Sequence, residues 1–252
     1  VNLLKRLSLS HCVTLFCICA LSACSNQEVS QERPLTAEEA SVLAEVLSRN
    51  HEAGGASFSL SARAGFQGGT ITLEGDIDWV NHRGGARVFG GSQPHPVTNV
   101  WWSAEIVGER RPSLDQEVLT LLPDVRNPIL ARPPDSSRRR LDQLLAIVTG
   151  LVAKTPENSQ LILQTEGSAF LREDVLREKP VLVLRYGKRS IFWLNASTKS
   201  LMRFEGNDST SQFPVVIDFL QLGSRTLSLP RDAQVVNLSD HMELLAMVPS
   251  SP

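Results

Sequence analysis

The chain has 252 residues, 42% of them hydrophobic, and its 25 Lys and Arg against 27 Asp and Glu give a formal net charge of −2. Neither sign forms a long block, which excludes a nucleic-acid partner gripped by a basic face, and the length suits one generous domain as well as two small ones. The four cysteines are Cys12, Cys17, Cys19 and Cys24, so everything after residue 24 is without an intrachain disulfide.

In chain order, Lys5 and Arg6 precede an uncharged run from Cys12 to Leu21. A membrane-spanning helix needs roughly 20 apolar residues, whereas a run of about 10 to 14 suits the core of a signal peptide. Leu21-Ser22-Ala23-Cys24 resembles the lipobox of bacterial lipoproteins. That resemblance implies cleavage before Cys24, diacylglycerol on its thiol, and a domain anchored to the cell membrane on its extracytoplasmic face. An ordinary secretory signal that happens to end before a cysteine is the alternative. The anchored reading divides the chain into a signal peptide (1–23), a polar tether (24–35), a folded domain (36–236) and a C-terminal tail (237–252). Two acyl chains give stable anchoring where one is marginal.

A helix is expected from Thr36, because Thr36 and Glu39 form a T-x-x-E capping box and Ala40, Leu43, Val46 and Leu47 share one face before Gly54-Gly55. The period then changes to two. In Ile71–Trp79, Ile71, Leu73, Ile77 and Trp79 face one side, and Thr72, Glu74, Asp76 and Asp78 face a polar one. Ser57–Ala64, Ala86–Phe89 and Val97–Ile106 are neighbouring strands separated by short glycine spacers, which suggests antiparallel pairing. Residues 123–134 read as a loop. Leu141, Leu144, Leu145, Val148, Leu151 and Val152 then make a helical stripe, with Asp135, Ser136 and Ser137 offering caps and Thr155-Pro156-Glu157 starting a short further helix. Strand character returns at Val181–Tyr186, Ser190–Asn195, Ser200–Glu205, Val215–Leu220 and Thr226–Leu229. The fold class expected is α+β, a curved antiparallel sheet with helices on its apolar face.

This order is similar to the LolA/LppX/LprG group of periplasmic carriers and lipoproteins. The matching features are Glu74-Gly75-Asp76-Ile77-Asp78-Trp79 as an early strand and Val100-Trp101-Trp102 as a later one. Pro214-Val215-Val216-Ile217-Asp218-Phe219, leading to Leu227-Ser228-Leu229-Pro230, matches a closing hairpin. The resemblance implies an unclosed half-barrel whose concave side, lidded by helices, forms an apolar cavity that binds or transfers lipid. Leu73, Ile77, Trp79, Trp101, Leu144, Val148, Leu184, Trp193 and Phe204 are the candidate cavity residues, and Cys24 is the candidate lipid anchor. Periodicity asks for apolar residues at these positions whether they line a void or fill a core. The alternative is therefore an envelope interaction protein with a filled core and a protein or glycopolymer partner.

No catalytic role is expected, since the chain after Cys24 lacks H-E-x-x-H, G-x-S-x-G and a P-loop. No cofactor or metal is expected either: His51, His82, His95 and His241 sit in turn-like or tail contexts without partners at ligand spacing. Arg138-Arg139-Arg140 opposes the dipole of the helix it opens, so it reads as a solvated turn or a contact for anionic headgroups. Arg110-Arg111 reads the same way.

Overall fold

A computed structural model describes residues 32–63, 69–91, 95–207, 214–227, 234–241 and 243–244. The expected signal peptide, the expected lipid anchor Cys24 and most of the expected tail lie outside these residues. The first helix, α1 (Ala37–Ala53), starts on Thr36, with the reciprocal Thr36–Glu39 capping box formed, and stops at Gly54 in the left-handed conformation (φ 83°). The folded domain begins earlier than the capping box suggests. Leu35 is buried, and Arg33 exchanges two backbone hydrogen bonds with Phe170, so these residues belong to the fold and not to the tether.

Six strands follow α1: β1 (Gly55–Arg63), β2 (Thr70–Asp78), β3 (Arg83–Gly90), β4 (Thr98–Trp102), β5 (Val107–Arg110) and β6 (Pro128–Arg132). Each pairs antiparallel with the next. A short helix, α2 (Asp115–Leu121), lies between β5 and β6, and α3 (Arg140–Gly150) and α4 (Ser159–Gln164) follow β6. A second meander then runs through β7 (Ala169–Leu176), β8 (Lys179–Tyr186), β9 (Ser190–Asn195), β10 (Leu201–Asn207) and β11 (Pro214–Leu222). Pairing of β11 with β1 joins the two meanders into one sheet. The last strand, β12 (Gln234–Asn237), lies parallel to β6, and the sheet is unclosed because β12 and β7 end it on opposite edges.

The described strands thus form an α+β fold around a twelve-stranded, largely antiparallel sheet. Its main core gathers one face of the sheet, including Phe58, Leu73, Ile77, Val100, Phe204 and Ile217, with α1, α3 and Ile162 of α4. Burying this face removes apolar side chains from water at roughly 25 cal/mol per Å². A second, smaller cluster of Val118, Leu130, Val236, Leu238 and Leu244 packs α2 and the start of the tail against β6. Among the described residues no helix is long and apolar enough to cross a membrane.

Several expectations need correction. Residues 123–134 are not one loop, because β6 runs through them. Asp135, Ser136 and Ser137 do not cap α3, whose N-cap position is Arg139 with no side-chain capping bond. The short helix starts from Asn158, whose side chain accepts from Gln160 N–H, and not from Pro156. The closing hairpin is not formed as a pair, since β11 lies between β1 and β10, while 224–227 have no regular structure and 228–233 lie outside the described residues. Asp78 is not on a solvated face. It is buried at the end of β2, where it accepts from Asn81 N–H, the Asn81 amide and Arg83. Burial pushes its pKa up, and these donors together outweigh burial and bring it below the ordinary value.

Candidate functional site

On the helix-covered face α3 forms the wall of an open groove. The helix turns Leu141, Leu144, Leu145 and Val148 toward the sheet, a stripe set by the 3.6-residue period. Polar ties hold its C-terminal end. Trp79 Nε1–H donates to the Val148 carbonyl at 3.2 Å, Trp102 Nε1–H donates to Thr149 Oγ1 at 2.9 Å, and the Asn50 amide donates to the Leu151 carbonyl at 2.7 Å. Along α3, from Asp142 to Gly150, and beside the β4–β5 turn lies a groove of ≈ 450 Å³. Trp102, Val107, Leu145, Ala146 and Val152 give it apolar walls, and His82, Ser103, Asp142 and Thr149 supply polar groups at its margins.

The N-terminal end of α3 is held by charge. Arg132 on β6 donates through both terminal nitrogens to Asp142 at 2.6 and 2.8 Å, and to Glu109 on β5 at 2.8 Å. Glu109 also accepts from Arg111 at 2.7 Å, and Asp142 accepts from the Asp135 N–H at 2.6 Å. Glu109, Arg132 and Asp142 are all buried. Burial pulls the Arg132 pKa down, but the two carboxylates outweigh it and raise the pKa above the usual guanidinium value. Arg139 moves the other way, lowered by burial and then by the neighbouring Arg132 charge. Arg111 and Arg140 are therefore not solvated turn residues: Arg111 pairs with Glu109, and Arg140 is buried with its Nε–H donating to the Arg63 carbonyl.

Among the expected cavity residues, Leu73, Ile77, Trp79, Leu144, Val148, Leu184 and Phe204 do share the main core on the helix-covered face. The first six are 0% exposed. A side chain bordering a void wide enough for water would retain exposed surface, so in this arrangement these six are packed against protein. Trp101 and Trp193 are not with them. Trp101 pairs with Gly85 and Gly108 on the outer face of the sheet. Trp193 packs with Val181, Val183 and Met202 on the outer face, with the guanidinium groups of Arg172 and Arg203 over its ring at 5.1 and 5.4 Å. Of the adjacent pair on β4 it is Trp102 that joins Trp79 on the helix side, set edge-on to Phe58 at 6.4 Å.

Sequence reasoning missed Trp102, Glu109, Arg132 and Asp142. Only Trp102 carried a usable signal: neighbouring strand residues face opposite ways, so one of the two adjacent indoles had to point inward. His51, His82, His95 and His241 bring no ligand cluster together, and among the described residues no group of three His, Cys, Asp or Glu side chains is placed to hold a metal.

No protein-family model and no curated protein matches the chain. Solved structures do resemble it at low identity. An uncharacterized conserved protein from Thermus thermophilus is 11% identical, with a TM-score of 0.39, over 78% of this chain and 96% of that one. LprF from Mycobacterium bovis is 13% identical, with a TM-score of 0.43, over 78% of this chain and 98% of LprF. MucB in the Pseudomonas aeruginosa MucA/MucB complex is 12% identical, with a TM-score of 0.36, over 78% of this chain but only 62% of MucB.

Proposed function

We propose that this chain is a non-catalytic binding lipoprotein of the cell envelope, anchored through Cys24, that takes up acyl chains beside α3 and so binds or transfers lipid. The observation that supports this reading is the α3 groove. Its ≈ 450 Å³ falls within the range of about 300–1,000 Å³ expected of small-ligand sites. Its walls include Trp102, Val107 and Leu145 of the main core, so an apolar chain in the groove extends a surface that is already buried. Each methylene buried there contributes about 0.8 kcal/mol. Leu73, Ile77, Trp79, Leu144, Val148 and Leu184 contact a ligand only after α3 lifts from the sheet, and Trp101 and Trp193 face away from this site.

A second reading is an envelope interaction protein with a filled core and a protein or glycopolymer partner. The absence of exposed surface on those six residues favours it. The two readings separate in one experiment. Protein purified without its lipid anchor is extracted with organic solvent and the extract analysed by mass spectrometry, for the wild type and for Ala146→Trp, which fills the groove from an exposed helix position. Acyl lipid in the wild-type extract and its loss in the variant support carriage. A wild-type extract free of lipid, together with no uptake of a fluorescent fatty acid, leaves the filled-core reading.

A further inference from the structure

The outer face of the sheet carries a further groove, remote from α3. Strand register aligns two rows there: Ser57, Asp76, Gly85 and Trp101 in one, and Ser59, Glu74, Arg87 and Asn99 in the other. Over them lies a groove of ≈ 540 Å³. It crosses from β1 to β4, three interstrand spacings or roughly 14 Å. Trp101 closes one end. A Cβ on Gly85 would sit 3.2 Å from Trp101 Cδ1 and 3.5 Å from Nε1, so the missing side chain is what lets the indole lie close over β3. On its far side Trp101 borders another hollow of ≈ 230 Å³, shared with Ile106, Gly108 and Val235. The ring is thus partly exposed and not packed away like Trp79.

We infer that this groove binds a neutral oligosaccharide, with Trp101 as the stacking platform and Asn99, Glu74 and Asp76 as hydrogen-bonding partners for its hydroxyls. Charge selects against an ionic ligand, because both lining carboxylates are already paired, Glu74 with Arg87 at 3.0 Å and Asp76 with the neighbouring Arg225 at 3.3 Å. Polarity selects against an acyl chain, which would strip water from two carboxylates and an amide and give no hydrogen bond back. A sugar ring satisfies both demands: its C–H face covers the indole, and its hydroxyls both donate and accept. The Asn99 amide has no side-chain hydrogen bond to another described residue, and Ser57 Oγ–H already donates to Asp76 at 2.6 Å, orienting that carboxylate.

The test is isothermal titration of the full chain, held in a detergent without a sugar headgroup, with chitotetraose and separately with maltotetraose. Saturable binding of either one is expected, together with a shift of tryptophan emission, since the other indoles, Trp79, Trp102 and Trp193, are buried. Trp101→Ala weakens binding by about tenfold or more, as loss of an aromatic anchor does, while Ala146→Leu in the α3 groove leaves it unchanged. Should Trp101→Ala not fold, Trp101→Phe and Asn99→Ala each weaken binding several-fold. Binding of neither sugar, binding untouched by the Trp101 and Asn99 substitutions, or an equal loss in Ala146→Leu overturns the proposal. Each of these results leaves the question of acyl-chain binding where it stood.

Discussion

Asp142→Asn removes one charge from the buried network at the start of α3 and changes almost no volume. In the wild type, two carboxylates, Glu109 and Asp142, face Arg132 and Arg111, and Arg132 spends its two terminal nitrogens on both acids at 2.6–2.8 Å. Neutralising Asp142 leaves the buried Arg132 with Glu109 alone, which Arg111 already engages. It also costs the Asp135 N–H its charged acceptor. Breaking a buried pair from one side costs about 3–5 kcal/mol, because the remaining charge stays desolvated. With a urea m-value of roughly 3 kcal/mol/M, the midpoint falls by roughly 1 to 1.7 M, read by tryptophan emission and far-UV circular dichroism together. The double variant Arg132→Met/Asp142→Leu loses less than the two single changes combined, since no charge is left stranded. A loss below about 1 kcal/mol, the range of exposed pairs, would refute the reasoning, because it would mean that water reaches these groups and that the network does not pin the helix.

Gly84→Ala places a Cβ 2.0 Å from the Trp102 ring, so the indole must leave Thr149; a loss of about 1–3 kcal/mol and a changed near-UV spectrum are expected, and an unchanged spectrum would contradict the packing. Trp79→Phe leaves the Val148 carbonyl without its indole donor in a fully buried place, a cost of about 1–3 kcal/mol, checked by urea denaturation. For Glu39, the Arg33 guanidinium first and then the Thr36 N–H hold the folded pKa below the ordinary value despite partial burial. Asp78 is also lowered. A depressed carboxylate pKa contributes stability above its unfolded value, about 4, and loses it as pH falls through the folded value. The denaturation midpoint should therefore drop on acidification below about pH 5; Glu39→Gln should be less stable near neutrality and show a shallower drop, and an unaltered profile would exclude Glu39 as a contributor.

The parts of the fold legible in the sequence were those with one wet face and one dry one. Ile71–Trp79 alternates because β2 has core on one side and groove on the other, and the α3 stripe repeats because only one side of that helix meets the sheet. β6 escaped for the opposite reason: Pro128–Arg132 is buried at every position, so no alternation survives. β5 is only four residues long and turns an acid, Glu109, inward to meet Arg132, which reads as surface until the partner is known. Trp193 was placed with Phe204, but pairing across β9 and β10 sets Trp193 opposite Arg203 and Phe204 opposite Phe192. Face assignment there depends on register through an irregularity between Leu201 and Arg203, which no count along one strand contains.

The seam between β1 and β11 joins residues 55–63 to residues 214–222, and β12 then reaches back to β6. A growing chain therefore holds the first meander with one edge of β1 open until β11 has been made. Contacts this distant slow folding, and an open strand is an invitation to associate with other chains. Truncation at residue 213 should give a product that aggregates, because the β11-facing edge of β1 then stays open.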